Sequence, residues 1–219
     1  YAKGGSQGGD GGRIETSGKI LDVNGIDVNT YSAYGKFGLW LLDPDNITIT
    51  QGGSAGGNLG SSSISEATLE AITGTNIALY ATRTITINNL SSNGGDGELT
   101  LSSGVGLRMD TGSYSGGGIS WVNENNTIRT SGGGYLYFQA GLTGTGSLSN
   151  FGNLITSGGT SNPAQASLPT HNTTDDFDRI DSTTDGTPGS GSITLFGADG
   201  IDLKGSLTTG GAYIRIWSD

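Results

Sequence analysis

No cysteine occurs among the 219 residues, and the chain holds only four prolines, one methionine and one histidine. Without cysteine there is no disulfide, no thiolate nucleophile and no sulfur-ligated metal. The same absence fits a reducing compartment and fits equally a chain that crosses an outer membrane unfolded, where a disulfide would block threading. A single histidine, His171, makes neither a zinc site nor a Ser-His-Asp triad and reads as a surface loop residue. Long apolar runs are missing as well: nothing approaches the ~20 residues needed to span a bilayer. The start, Tyr1-Ala2-Lys3-Gly4-Gly5, has no charged-then-apolar export signal and no initiator Met, so the chain reads as a piece of something longer. Basic residues are few, 10 against 20 acidic ones, and the resulting net charge of −10 repels phosphate backbones and anionic membrane surfaces. Nucleic acid is thereby disfavoured as a partner, and no membrane span is expected.

What fills the chain is glycine, 42 residues of it, with Ser, Thr and Asn between short aliphatic alternations. This composition points to an all-β protein. At 32% hydrophobic and 14% charged residues, the alternation is too regular for disorder and the apolar side chains too dispersed for one thick core. A thin core drawn out along an axis is favoured. The stretch Phe37 to Thr50 shows the unit: an apolar run, Gly38-Leu39-Trp40-Leu41-Leu42, is broken by Asp43-Pro44-Asp45-Asn46, and an Ile47-Thr48-Ile49-Thr50 strand follows.

The same grammar returns at Ile77-Ala78-Leu79, Leu99-Thr100-Leu101, Ile119-Ser120-Trp121, Leu136-Tyr137-Phe138, Ile193-Thr194-Leu195 and Tyr213-Ile214-Arg215-Ile216. Neighbouring starts lie roughly 20 residues apart, the mark of a stacked array. Asn24-Gly25, Asp96-Gly97, Asp185-Gly186 and Asp199-Gly200 would also suit hairpins. Likeness between successive periods, each opened by a Gly-rich corner, instead favours stacking. The predicted fold is a right-handed parallel β-helix with coils of roughly 20 residues, a single segment over 1–219. A low-complexity excursion is expected at about 51–66, with one helical turn over Ser65–Ala71, and an extra-helical insertion loop at about 158–192. Ile47, Ile49, Ile85, Ile87, Leu99, Leu101, Leu107, Met109, Ile193, Leu195, Ile201, Leu203, Ile214 and Ile216 are expected to point inward, with their alternate neighbours in solvent.

Two motifs carry a resemblance. Gly8-Gly9-Asp10-Gly11-Gly12-Arg13-Ile14-Glu15-Thr16-Ser17-Gly18, followed by Gly38-Leu39-Trp40-Leu41-Leu42-Asp43-Pro44-Asp45-Asn46-Ile47-Thr48-Ile49, is similar to the coil signature of filamentous-haemagglutinin-like exoproteins. Asn125 to Gly133 and Gly200 to Gly211 resemble later coil text of that family. The resemblance implies a large secreted bacterial cell-surface fibre of the two-partner-secretion type, exported through an outer-membrane transporter and acting in adhesion. The family's N-terminal secretion motif is not found here, and Arg13 stands where an apolar or aromatic residue is usual. The expected role is therefore a shaft segment that extends and displays binding regions. Alternatives are a subunit of an end-to-end polymerised β-helical filament, a carbohydrate-binding adhesin segment and, less favoured, a polysaccharide-degrading enzyme.

An enzyme of the last kind needs carboxylates converging on a groove. Asp43 and Asp45 flank a corner proline, and Glu15, Asp22 and Asp27 are assigned to outward positions, so turn and solvent roles are favoured and no catalytic, cofactor-binding or metal residue is assigned. Asp175, Asp176, Asp178, Asp181 and Asp185 are rich enough in oxygen for Ca²⁺, yet match neither the EF-hand nor the nonapeptide spacing; a solvated loop is expected. Trp40, Trp121, Tyr135, Tyr137, Phe138, Tyr213 and Trp217 are assigned to the core rather than to a glycan-binding strip. Asn46, Asn89, Asn125 and Asn172 begin Asn-x-Ser/Thr triplets that a chain of this composition produces by chance. Expected partners are neighbouring coils of the same chain or end-to-end copies, because no end cap is evident, and host or surface glycans.

Overall fold

The computed structural model describes residues 1–23, 26–52, 62–112, 115–141, 145–158 and 191–218. The fold is all-β, built from parallel strands with little helix. Its largest sheet contains β1 (Arg13–Ser17), β2 (Leu39–Asp43), β5 (Asn76–Ala81), β8 (Leu107–Thr111), β11 (Leu136–Ala140), β14 (Ile193–Gly197) and β17 (Ile214–Ser218), in that spatial order. A six-stranded sheet runs in the order β15 (Ile201–Leu203), β12 (Ser147–Phe151), β9 (Gly118–Trp121), β6 (Thr84–Ile87), β3 (Asn46–Thr50), β4 (Ser63–Ser65). A four-stranded sheet holds β16 (Leu207–Thr208), β13 (Asn153–Thr156), β10 (Thr127–Thr130) and β7 (Glu98–Thr100). Among the described residues the isolated antiparallel bridge is Gly5 with Gly8, a turn in the Gly-rich start.

Period-2 alternation puts every second side chain on one face, and parallel register stacks these into columns. In the largest sheet one column runs Ile14, Trp40, Ile77, Leu107, Leu136, Ile193, Ile214, and the next contains Leu42, Leu79, Met109, Phe138, Leu195, Ile216. The six-stranded sheet contributes Ile47, Ile85, Ile119, Leu148 and Ile201, and the four-stranded one Leu99, Ile128, Leu154 and Leu207. All three sets meet in one hydrophobic cluster. Removing each such side chain from water is worth about 1.5–3 kcal/mol.

The corner at Asp43-Pro44-Asp45 separates β2 from β3 as its residues demand, and the next corner stacks on it, with the Thr82 and Arg83 amides donating to the Pro44 and Asp45 carbonyls at 3.3 and 2.9 Å. Trp40 is fully buried, and its indole N–H donates to Thr16 Oγ1 at 3.2 Å.

Four expectations change. Strand-to-strand offsets within the largest sheet are 26, 37, 30, 29, 57 and 21 residues, wider in all but the last than the roughly 20-residue period. The alternating segments at 77, 99, 119 and 136 belong to three different sheets, and alternation looks alike on each. Residues 63–65 do not wander: Ile64 pairs with Ile49 and is buried, and the helical turn follows as α1 (Glu66–Glu70), capped by Ser65. Ile214 and Ile216 stand on the inner columns but are 41% and 49% exposed, because β17 is the outermost strand described. Ile201 and Leu203 are only partly buried for the same reason, on β15. Among the described residues no helix is long and apolar enough to cross a membrane. The insertion at 158–192 falls, apart from its ends, outside the described residues.

Candidate functional site

The carboxylates gather more than their spacing suggested. Glu15 lies at 3.0 Å from Arg13 and accepts a hydrogen bond from Ser17 Oγ, and Asp43 is the register partner of Ser17 on the neighbouring strand. Burial pushes the Asp43 carboxyl above its usual range, Glu15 and Asp45 push it further, and Arg13 opposes them. Asp27 accepts a hydrogen bond from the Tyr1 hydroxyl, and Asp22 is exposed. Among the described residues no three acidic or histidine side chains lie close enough to hold a metal ion. His171 and Asp175, Asp176, Asp178, Asp181 and Asp185 lie outside the described residues, as does Asn172.

The face of the largest sheet that looks away from the core is largely dry in its middle strands, β8, β11 and β14. Tyr137, Thr194, Phe196 and Asp110 are 5%, 3%, 2% and 4% exposed, against the expectation that alternate residues would face solvent. Parallel sheets are ordinarily covered on both faces. Here Arg108 stacks 4.7 Å from the Tyr137 ring centroid and pairs with Asp110 along its own strand. The Tyr137 hydroxyl donates to Gln139 Oε1 at 2.6 Å. Farther along, Phe196 meets Trp217 at 5.6 Å and Arg215 covers Tyr213 at 4.5 Å. Tyr135 lies across Gly106, where an added Cβ would come within 2.2 Å of its ring. Its outer edge keeps partial exposure, but enclosure of the phenol pushes its pKa up to about 12, with Arg108 pulling down and Asp110 pushing up.

The assigned aromatics therefore divide. Trp40, Trp121 and Phe138 are core; Trp121 sits 3.9 Å from Phe151, a residue the alternation did not single out, and Phe151 is 5.6 Å from Phe138. Tyr137 and Trp217 stand on the outward face, with Tyr135 and Tyr213 just before their strands, near Arg108 and against Arg215. A second aromatic group is open to solvent: Tyr31 and Tyr34 are 46% and 75% exposed, and Tyr31 leans on Phe37 with centroids 5.7 Å apart. Both rings rest on glycine. Cβ atoms at Gly74 and Gly104, both at positive φ, would meet Tyr31 at 2.9 Å and Phe37 at 3.1 Å. The sequence signal for this ledge, Tyr31-Ser32-Ala33-Tyr34 beside Phe37, lies outside the alternating segments.

The asparagines of the triplets serve the corners. Asn89 Oδ1 accepts from Asn123 Nδ2 at 2.9 Å, and Asn46 Oδ1 accepts from the Thr84 hydroxyl at 2.9 Å. Asn125 is exposed in a turn, while its neighbour Asn126 is fully buried and donates to the Asn88 carbonyl at 2.8 Å. In the chain as a whole the described residues thus hold one open aromatic ledge, one buried aromatic–arginine face and one acidic corner. No protein-family model, curated protein or solved structure matches this chain.

Proposed function

We propose that this chain is a shaft segment of a secreted bacterial cell-surface fibre of the filamentous-haemagglutinin type, in which the three sheets are the faces of a right-handed parallel β-helix. The observation that carries this reading is the rotation of strands among sheets: β8, β9 and β10 fall in three different sheets, and β11, β12 and β13 repeat the same order. Right-handed crossover is the rule for parallel connections. Such a stack grows by adding strands, and its mechanical role is to hold outer loops at a distance. The outermost strands described, β15, β16 and β17, are then where the next parallel layer would add, in the same chain or in an end-to-end copy. Export through an outer-membrane transporter accords with the absence of cysteine. The test is electron microscopy and antibody labelling of cells that produce the protein within its native polypeptide. Thin surface fibres carrying this epitope support the reading, and an exclusively cytoplasmic, compact protein contradicts it.

One observation favours a second reading, glycan binding. Exposed Tyr31 and Tyr34, with Phe37, present ring faces beside a glycine-smooth corner, and sugar C–H faces stack on such rings. A glycan array with the protein and its Tyr31→Ala, Tyr34→Ala variant tests it. Binding lost in the variant supports an adhesin segment, and no binding by either leaves the shaft role alone.

A further inference from the structure

We infer that Glu66 is the proton-binding part of a pH-sensitive latch that holds α1 against the edge of β7. The helix occupies the place where a fifth strand would extend the four-stranded sheet. At that edge the Thr100 amide, free of any strand partner on this side, donates instead to Glu70 Oε1 at 2.7 Å, and the Ser102 hydroxyl donates to the Glu70 carbonyl at 3.1 Å. Inside the joint lies Glu66, only 8% exposed. One of its oxygens accepts from the Gly52 amide at 3.1 Å, and the other, Oε2, is buried with no hydrogen-bond partner.

A buried carboxylate with a bare oxygen is costly unless a cation or a proton answers it. No cation does so among the described residues: none of Glu66, Glu70 and Asp96 is in an ion pair. The elements packed on α1 bring further acid. Besides Glu70 on the helix itself there are Asp96 before β7 and Glu98 on it, and Glu98 is already tied to Arg129 at 3.0 Å; β4 brings only Ser63, Ile64 and Ser65. Among the described residues no three acidic or histidine groups converge here closely enough to hold a metal ion. A proton is the remaining answer, and it converts Oε2 from a stranded acceptor into part of a neutral acid.

The electrostatics agree with the geometry. Burial pushes the Glu66 carboxyl above its usual range, the Gly52 amide opposes, and Glu70 and Asp96 push further; Glu70 is raised by burial and by Asp96 against the Thr100 amide. A carboxyl raised in the folded state contributes stability that is fully present below its unfolded value of about 4.3 and is lost as pH rises through the folded value. The latch is therefore tight in acid and loosens toward neutrality. This inference rests on the joint alone and stands whether or not the chain is a fibre shaft.

The test is hydrogen exchange of the full chain at the Ala71 and Thr100 amides from about pH 4 to about pH 8, corrected for intrinsic rates. Protection should fall about tenfold for each unit by which the folded value exceeds the unfolded one. Glu66→Gln, which keeps the shape without the charge, should hold α1 protected at neutral pH and leave only the shallower slope that Glu70 contributes. Protection that does not change with pH in the natural protein, or a variant that keeps the natural slope, overturns the latch. Should the variant lose α1 altogether, direct NMR titration of the Glu66 carboxyl in the natural protein decides: a midpoint above that of ordinary glutamate supports the latch, and one at or below it overturns it.

Discussion

The two ends of the stacked sheets are finished differently. At the β1 end, residues 18–23 and 26–32 meet the chain on either side of β4 and α1, with the Leu21 amide reaching Ser62 Oγ and the Thr30 amide reaching Thr75 Oγ1, and Leu21, Val23 and Val28 are buried there. Residues 1–12 add a further layer, with the Ala2 and Gly4 amides donating to the Asn29 and Tyr31 carbonyls at 3.0 and 2.9 Å. Beneath them Ile64, Leu69 and Ile72 are 2%, 0% and 5% exposed. At the β17 end the same inner columns end in half-exposed Ile214 and Ile216 and in partly buried Ile201, Leu203 and Leu207. The difference lies in what meets the strand edges. A helix and a loop layer cover part of one end, beside β4 and β7, whereas at the other nothing described lies beyond β15, β16 and β17.

Truncation measures that difference most strongly. Leu69→Ala at the covered end should cost about 2–5 kcal/mol in urea unfolding, because the site is fully packed and a cavity remains. Ile216→Ala at the open end should cost under about 1 kcal/mol, since half of that side chain is in water already. Equal costs would mean that the ends are not distinct. The next effect belongs to the outward face between them. Gly106→Ala drives a methyl into the Tyr135 ring and should cost about 1–3 kcal/mol, with a downfield-shifted or broadened Tyr135 ring signal as its NMR mark. Smallest is Asp43→Asn. Because burial and its acidic neighbours raise the Asp43 carboxyl, ionisation opposes folding, so the amide should stabilise the protein at neutral pH and lose that advantage below about pH 4. The group is partly exposed, so screening limits the gain to no more than about 0.5 kcal/mol.

How much of this was legible depends on how local each cause is. The Asp43-Pro44-Asp45 corner, the inward set from Ile47 to Leu195 and the helical turn after Ser65 follow from residues within a few positions of one another, and the fold places them as read. The offsets between paired strands were not legible, because Leu99, Ile119 and Leu136 sit in equivalent alternations on three different sheets. Tyr137 reads as an inner residue from its apolarity, and register puts it on the outward face instead. The acidic corner needed the pairing of Ser17 with Asp43, which no spacing announces. Glu66 is the extreme case: a glutamate in the first turn of a short helix ordinarily lies in water, and here it is buried, with the distant Gly52 amide donating to it.

Methionine provides the most direct check on the parallel stack, for the chain has only one. Met109 is fully buried, with Leu79 as its register partner on one side and Phe138 on the other, thirty and twenty-nine residues away. In a protein labelled only at the methionine methyl, that single signal should show cross-relaxation to protons of both Leu79 and Phe138. A methyl that contacts Leu99 or Leu101 of the preceding segment while missing Leu79 and Phe138 would mean hairpin pairing and contradict the parallel stack.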